Sequence, residues 1–404
     1  MQHSNSRPTI SRRRLLKSLG AAAAGAALLP AFGIAEDSPA SDVEDSAAGI
    51  RVTDLQPHPA GDRVYVKIET NYGVFGWGEI KGIEPSTAAT LARSMFQILK
   101  NENPTRIEHL WQRMYRSHRN QRGGAFMVHT IAGIDMALWD IAGKLWKVPV
   151  YRLLGGPTRD RIRVYPSPTA TKLAPGGSHE HSSGPKAIDA MVQRVKQARE
   201  RLGPDGAVMF DAHSMLPVAT LIQFANAIEP YDLLFIEEPW LPDNIEVCKK
   251  IRKSVRVPLA TGERDRTIWG VLPYLHEQVI DVLQPDAGYT GGISQMKKIA
   301  ALAEAYHVPL APHNTQSYLG ISASFHVTAS VPFFLIHECY HNADLAKIAR
   351  KHWTVDKAGN ASLPEGIGLC VDIDEAAIAA RNADARYKFG WPDARLRDGS
   401  VADY

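Results

Sequence analysis

The sequence predicts an α/β protein, a parallel-stranded (β/α) barrel preceded by a small α+β domain. Three observations carry this. From about Arg161 short apolar runs alternate with amphipathic helices, and the unit repeats about every 25 residues. The runs are hydrophobic throughout, as strands of a parallel sheet covered on both faces must be. Ahead of them, VYVKIETNYGVFGWGEI reads as a hairpin and residues 85–155 read as helices. A doubly wound open sheet fits less well, because no GxGxxG joins a strand to a helix.

The first 35 residues stand apart. Ser11-Arg12-Arg13-Arg14-Leu15-Leu16-Lys17 runs into LGAAAAGAALL and then PAFGIA. A basic start, a short apolar core and small residues describe an export signal, and the paired arginines resemble the twin-arginine type. The expected location is therefore periplasmic, with the twin-arginine export machinery as the precursor's partner. The leader holds five basic residues and no acid, so its removal takes the formal charge from +3 to −2. The basic balance belongs to the leader, and no compact basic run in the remainder invites nucleic acid. Residues 36–50 are acidic and Ser/Ala-rich, a linker.

In the α+β domain (51–160), Val64, Val66 and Ile68 alternate before the turn Asn71-Tyr72-Gly73, and Val74–Trp77 returns. Ile131, Ile134, Leu138, Ile141 and Leu145 fall at helical spacing. The barrel is placed at 161–365, with strands at RIRVYPS, AVMFD, LLFIEE, VPLATGE, IDVLQPD, VPLAPH and FFLIHE. Residues 366–404 form a tail expected to pack back on the first domain. No apolar run of 18 residues lies beyond the leader, so stable membrane insertion is not expected. Cys248, Cys339 and Cys370 match no metal-ligand spacing and read as small buried hydrophobes.

The strand ends carry the chemistry. Asp211, Glu237, Glu263, Asp286, His313 and Glu338 each close one strand, 23–27 residues apart. One strand–helix unit has that length, so all six reach the same barrel mouth. One such carboxylate is usually a cap; five in one mouth repel one another unless a cation is present. Asp211, Glu237 and Glu263 are hard oxygen donors on neighbouring strands, which suits Mg²⁺. Glu238 should point the opposite way by strand alternation. Asp286 can orient His313 as a general base. His213, beside Asp211, stands on the other side as a candidate acid, and Glu338 can orient substrate or hold an oxyanion. His326, inside SASFHVTAS, reads as a core residue.

FDAH, FIEEP, TGER, QPD, PHN and HE, in that order, resemble the enolase superfamily, most closely its mandelate racemase and acid-sugar dehydratase branch. GIDMALWDIAGKLWKVPVYRLLGG is similar to that family's capping-domain signature. The resemblance covers about residues 50–380. It implies a capping domain over a (β/α)7β TIM-like barrel, Mg²⁺ on Asp211, Glu237 and Glu263, and a His313–Asp286 base dyad. It implies removal of the proton α to a carboxylate, giving an enediolate. His213 matches the general-acid histidine of galactonate and mannonate dehydratases, where racemases typically have Asn.

One departure stands out. Many members carry Lys-x-Lys on the second barrel strand, and that position falls here near Glu180 and Ser182, in APGGSHEHSSGPK. Only seven strands are legible, so the second is expected to be remodelled. The segment between Pro166 and Pro185 either lines the mouth, with His179 and His181, or forms a surface loop. The expected function is Mg²⁺-dependent dehydration of a sugar acid to a 2-keto-3-deoxy acid, by a homo-oligomer. The alternatives are a racemase or epimerase of a 2-hydroxy acid, and an exported sugar-acid-binding homologue impaired in catalysis.

Overall fold

The computed structural model describes residues 47–175, 185–350, 352–390 and 399–401. The leader, most of the linker, and His179 and His181 lie outside them.

The N-terminal sheet has three antiparallel strands, β1 (Val52–Pro59), β2 (Arg63–Thr70) and β3 (Phe75–Lys81), in that order. The hairpin is β2–β3. Its extra neighbour, β1, contains two prolines that hide the strand pattern, and an edge position tolerates them. Three helices follow: α1 (Pro85–Leu99), α2 (Ile107–Ser117) and α3 (Ala125–Leu145). Glu84 caps α1 by accepting from Ser86 N and Thr87 N. Helix α3 lies so close on β3 that a Cβ at Gly78 would sit 1.7 Å from Gly133 O. Only glycine permits that approach.

Helix α3 is long and apolar enough to cross a membrane, yet most of its apolar stretch is buried inside the protein. Two buried acids on it tie the domains together. Asp135 accepts from Ser294 N (3.1 Å) and from Ser294 Oγ. Asp140 accepts from Trp77 N (2.9 Å), Leu369 N (2.8 Å) and Lys144 Nζ (2.6 Å). The signature stretch is thus a bolt between the cap sheet, a barrel helix and the tail. Each donor stranded by its loss would cost about 1–3 kcal/mol.

After a short α4 (Val150–Leu153) the barrel begins with β4 (Arg161–Tyr165) and β5 (Ala170–Leu173). Then strand and helix alternate: α5 (Pro185–Leu202), β6 (Ala207–Asp211), α6 (Val218–Ile228), β7 (Phe235–Glu237), α7 (Ile245–Ser254), β8 (Leu259–Thr261), α8 (Thr267–His276), β9 (Val282–Leu283) and α9 (Gly292–Ala305). Strands β5 to β9 form one parallel sheet. The seventh stave is a pair of single bridges at Leu310, to Leu283 and Phe334. Beyond α10 (Tyr318–Ala329), β10 (His337–Glu338) pairs in parallel with β4. The interior is filled from every stave, by Tyr165, Ala170, Ala207 with Met209, Phe235, Ala260, Val282, Ala311 and Ile336.

The second stave corrects the sequence reading. It is not a remodelled loop around residue 180 but Ala170–Leu173, paired with β6 through Lys172↔Met209. No helix separates it from β4; four residues, Pro166–Thr169, make the link. Beyond α11 (Ala343–Ile348), β11 (Asn360–Ser362) pairs antiparallel with β4 on the edge away from β10. A strand that follows the last stave in the chain therefore occupies the second edge of β4.

The last helix, α12 (Glu375–Ala383), returns to the cap: Lys67 meets Glu375 (2.9 Å), and Arg381 reaches Ala60 O (3.2 Å) and Asp62 (3.1 Å). All three cysteines are buried. His326 is fully buried and accepts from Tyr151 N (3.2 Å), a core residue whose pKa burial pushes down to about 3.

Candidate active site

The barrel brings the predicted residues together. Asp211, Glu237 and Glu338 end β6, β7 and β10, while Glu263, Asp286 and His313 follow their staves by two or three residues. His313 Nδ1 donates to Asp286 Oδ2 (2.8 Å), whose other oxygen accepts from Gly288 N (2.7 Å) and Gln316 Nε2 (3.2 Å). The imidazole is thereby fixed with Nε2 inward, 3.8 Å from both Glu263 Oε2 and Glu338 Oε2. Glu338 Oε2 is held in turn by Asn314 N (3.0 Å). At the other end His213 Nε2 donates to Asp211 Oδ2 (2.8 Å).

At the centre stands a residue the sequence reading missed. Lys172 Nζ lies 3.1 Å from Asp211 Oδ2, 2.8 Å from Glu237 Oε1 and 2.7 Å from Glu338 Oε1. Burial alone would lower its pKa, but Glu237, Glu338, Tyr165 and Asp211 hold it well above the usual lysine value. It is an ammonium. The expectation that this barrel offers no lysine at its second strand is overturned.

Strand alternation does not extend to the residues just past the strand ends. Glu238 and His213 both lie just past their strands with left-handed backbones, φ +45° and +46°. Such angles are uncommon outside glycine and end the two-residue alternation. Glu238 is buried, and Arg264 Nε stands 2.6 Å from its Oε2 without hydrogen-bond alignment. His213, by contrast, is half exposed at the mouth and bends back onto Asp211, its own N donating to Oδ1 (2.9 Å).

The cap supplies the roof. Lys81, at the end of β3, donates to Thr315 O (2.6 Å), and Tyr289 stacks between His129 of α3 (4.6 Å) and His313 (6.2 Å). Burial pushes the Lys81 pKa down and the His129 pKa down to about 4. Glu79, one strand position pair earlier, locks the roof to the barrel by accepting from Arg63 Nη1 (2.7 Å) and from Ser317 N, the cap of α10.

Negative charge exceeds what Lys172 can offset. Burial, then the Asp211 charge, drives the Glu237 carboxyl far above the ordinary range; burial and Glu263 lift Glu238 to about 8. Burial would lower His313, but Glu263, the Asp286 bond and Glu338 outweigh it and raise it to about 10. Among the described residues no three acid, histidine or cysteine groups already form a metal cage. Yet Glu237 Oε2 and Glu263 Oε2 are buried with no hydrogen-bond partner. Unpaired buried carboxylate oxygens on neighbouring staves fit a hard divalent cation.

The sign of the pH dependence follows. Glu238 and His313 both bind protons more tightly folded than unfolded, so their contribution is complete at low pH. It is lost as pH climbs through about 8 and about 10. In chelator, the melting temperature should fall by several degrees from pH 5 to pH 9. A flat or rising profile by circular dichroism would contradict the charge excess.

Comparison with known proteins agrees with this fold. Residues 163–377 match the enolase C-terminal domain-like family, and residues 57–155 match the mandelate racemase / muconate lactonizing enzyme N-terminal domain. A D-galactonate dehydratase of Ralstonia pickettii (strain 12J) is 35% identical over 372 residues, 84% of this chain and 96% of that protein. One from Variovorax paradoxus (strain S110) is 34% identical over 387 residues, 88% of this chain and 100% of its own. Among solved structures, a mandelate racemase/muconate lactonizing enzyme from Sulfitobacter sp. aligns with TM-score 0.76 at 30% identity, covering 82% of this chain and 95% of that one.

Proposed function

The chain belongs to the enolase-like mandelate racemase/muconate lactonizing enzyme family and is a hydro-lyase, and from that premise we propose that it dehydrates a sugar acid of the galactonate kind. The observation that carries the reading is the placement of two histidines at opposite ends of one acid cluster. His313 is bound to Asp286 and faces Glu263 and Glu338; His213 is bound to Asp211.

In this reading Asp286 fixes the His313 ring through Nδ1, and Nε2, in the neutral form of the ring, takes the proton α to the substrate carboxylate. His213, half exposed and reachable from the mouth, protonates the departing β-hydroxyl. Glu338, held by Asn314 and Lys172, orients the substrate. Mg²⁺ held by Asp211, Glu237 and Glu263 would supply positive charge to offset the charge that grows on the substrate carboxylate. The Tyr289–His129 stack and Lys81 close the site from above and keep water from the transferred proton.

Lys172 favours a second reading. Its ammonium meets Glu338 Oε1 (2.7 Å) while His313 faces Oε2, a second proton-bearing group of the kind a racemase or epimerase of a 2-hydroxy acid would require.

A panel of aldonic acids, assayed with Mg²⁺ in deuterated water, separates the two. Formation of a 2-keto-3-deoxy acid supports dehydration; deuterium incorporation with inversion and no keto product supports the racemase. Neither turnover nor exchange with any acid would sink both, leaving an impaired binding protein. Export of the folded chain by its twin-arginine leader, and homo-oligomerisation, complete the proposal.

A further inference from the structure

A second cavity lies where helix α2 of the cap meets α8 and α9 of the barrel, with a volume of about 440 Å³. That is within the size range of small-molecule sites. None of the acids or histidines of the candidate active site lines it. From its chemistry we infer that it binds a small hydroxylated carboxylate, such as an aldonate.

The charge is one-sided. Arg116, Arg122 and Lys298 line the cavity and no acidic residue does. Lys298 is neutralised from outside by Glu108 (2.6 Å). Arg116 Nε donates to the neutral Gln112 Oε1 (2.8 Å), and Arg122 lies over the Tyr115 ring at 5.7 Å. Among the described residues neither guanidinium has a carboxylate. Two guanidinium groups without a carboxylate partner suit a carboxylate ligand, which their remaining N–H donors can hold.

The walls are aromatic. Trp111 is buried and anchored, its Nε1 donating to Gly291 O (2.8 Å). Trp269 is 67% exposed at the rim, an unusual position for so large an apolar ring unless something covers it. Indole faces pack against the C–H face of a carbon chain, which a bare inorganic anion lacks. The third observation is Gln295. It is 3% exposed, lines the cavity, and its Oε1 accepts no hydrogen bond. An acceptor without a donor calls for a hydroxyl.

The site stands on these residues; only the choice of probe rests on the sugar-acid reading. Calorimetry of the full chain should give two binding events for D-galactonate. The double variant Arg116→Gln/Arg122→Gln should lose one of them, its affinity falling at least tenfold. Gln295→Leu keeps both cations and should weaken galactonate while leaving phosphate unaffected. Quenching of Trp269 fluorescence by galactonate should vanish in Trp269→Phe. Unchanged stoichiometry and affinity in the double variant overturns the site. Equal response to inorganic phosphate, insensitive to Gln295→Leu, overturns the hydroxy-acid assignment. Turnover without an arginine-dependent second event removes this inference and leaves the dehydratase reading standing; an arginine-dependent event without turnover does the reverse.

Discussion

Replacing His313 by asparagine abolishes dehydration, lowering turnover by at least about 10²–10⁴-fold, the range supplied by a positioned general base. Asparagine keeps a donor toward Asp286 Oδ2, the contact that His313 Nδ1 makes at 2.8 Å. The fold should therefore survive, and circular dichroism with a melting curve verifies it. What is lost is Nε2, the ring nitrogen that faces Glu263 and Glu338. The companion variant His213→Asn assigns the steps: it should stop release of the β-hydroxyl yet still exchange the α-proton for deuterium. Exchange surviving in His313→Asn would take the base role away from this residue.

The largest effect on stability should come from Lys172→Ala. One ammonium contacts Asp211, Glu237 and Glu338, all buried. Removing one partner of a buried charge cluster leaves the others uncompensated, at about 3–5 kcal/mol. In chelator the variant should melt well below the parent, most clearly at high pH, where the carboxyls must ionise. Saturating Mg²⁺ should narrow the gap, because a cation on the same carboxylates supplies the missing charge. If chelated parent and variant melt together, Lys172 does not hold the cluster. If Mg²⁺ leaves the gap unchanged, the cation site is wrong.

Much of this was legible because barrel geometry turns position along the chain into position in space. Asp211, Glu237, Glu263, Asp286, His313 and Glu338 recur at the length of one strand–helix unit, so periodicity alone placed them in one mouth. Lys172 broke that rule. Its stave is only four residues long, sits among prolines, and follows β4 with no helix between. Counting one unit back from Asp211 therefore landed beyond it. The signal present was a brief run, ATKL, ending two residues ahead of Pro-Gly-Gly in the sequence. Alternation is a property of extended backbone, so it decides nothing at Glu238, whose φ is +45°. The roof contacts of Lys81, His129 and Tyr289 depend on how two domains meet, which no local pattern encodes.

The pairing of β11 with β4 fixes an order of events. Ile162 finds its antiparallel partner in Ala361, and Val164 N donates to Gly359 O, near the opposite end of the chain. As synthesis proceeds, the first stave emerges early and keeps one edge open until residues 360–362 arrive. Open strand edges invite pairing with other chains, and contacts so distant in sequence form late. The second edge of the first stave is covered by a strand made after the last stave, so a chain cut before residue 360 leaves that edge open to other strands.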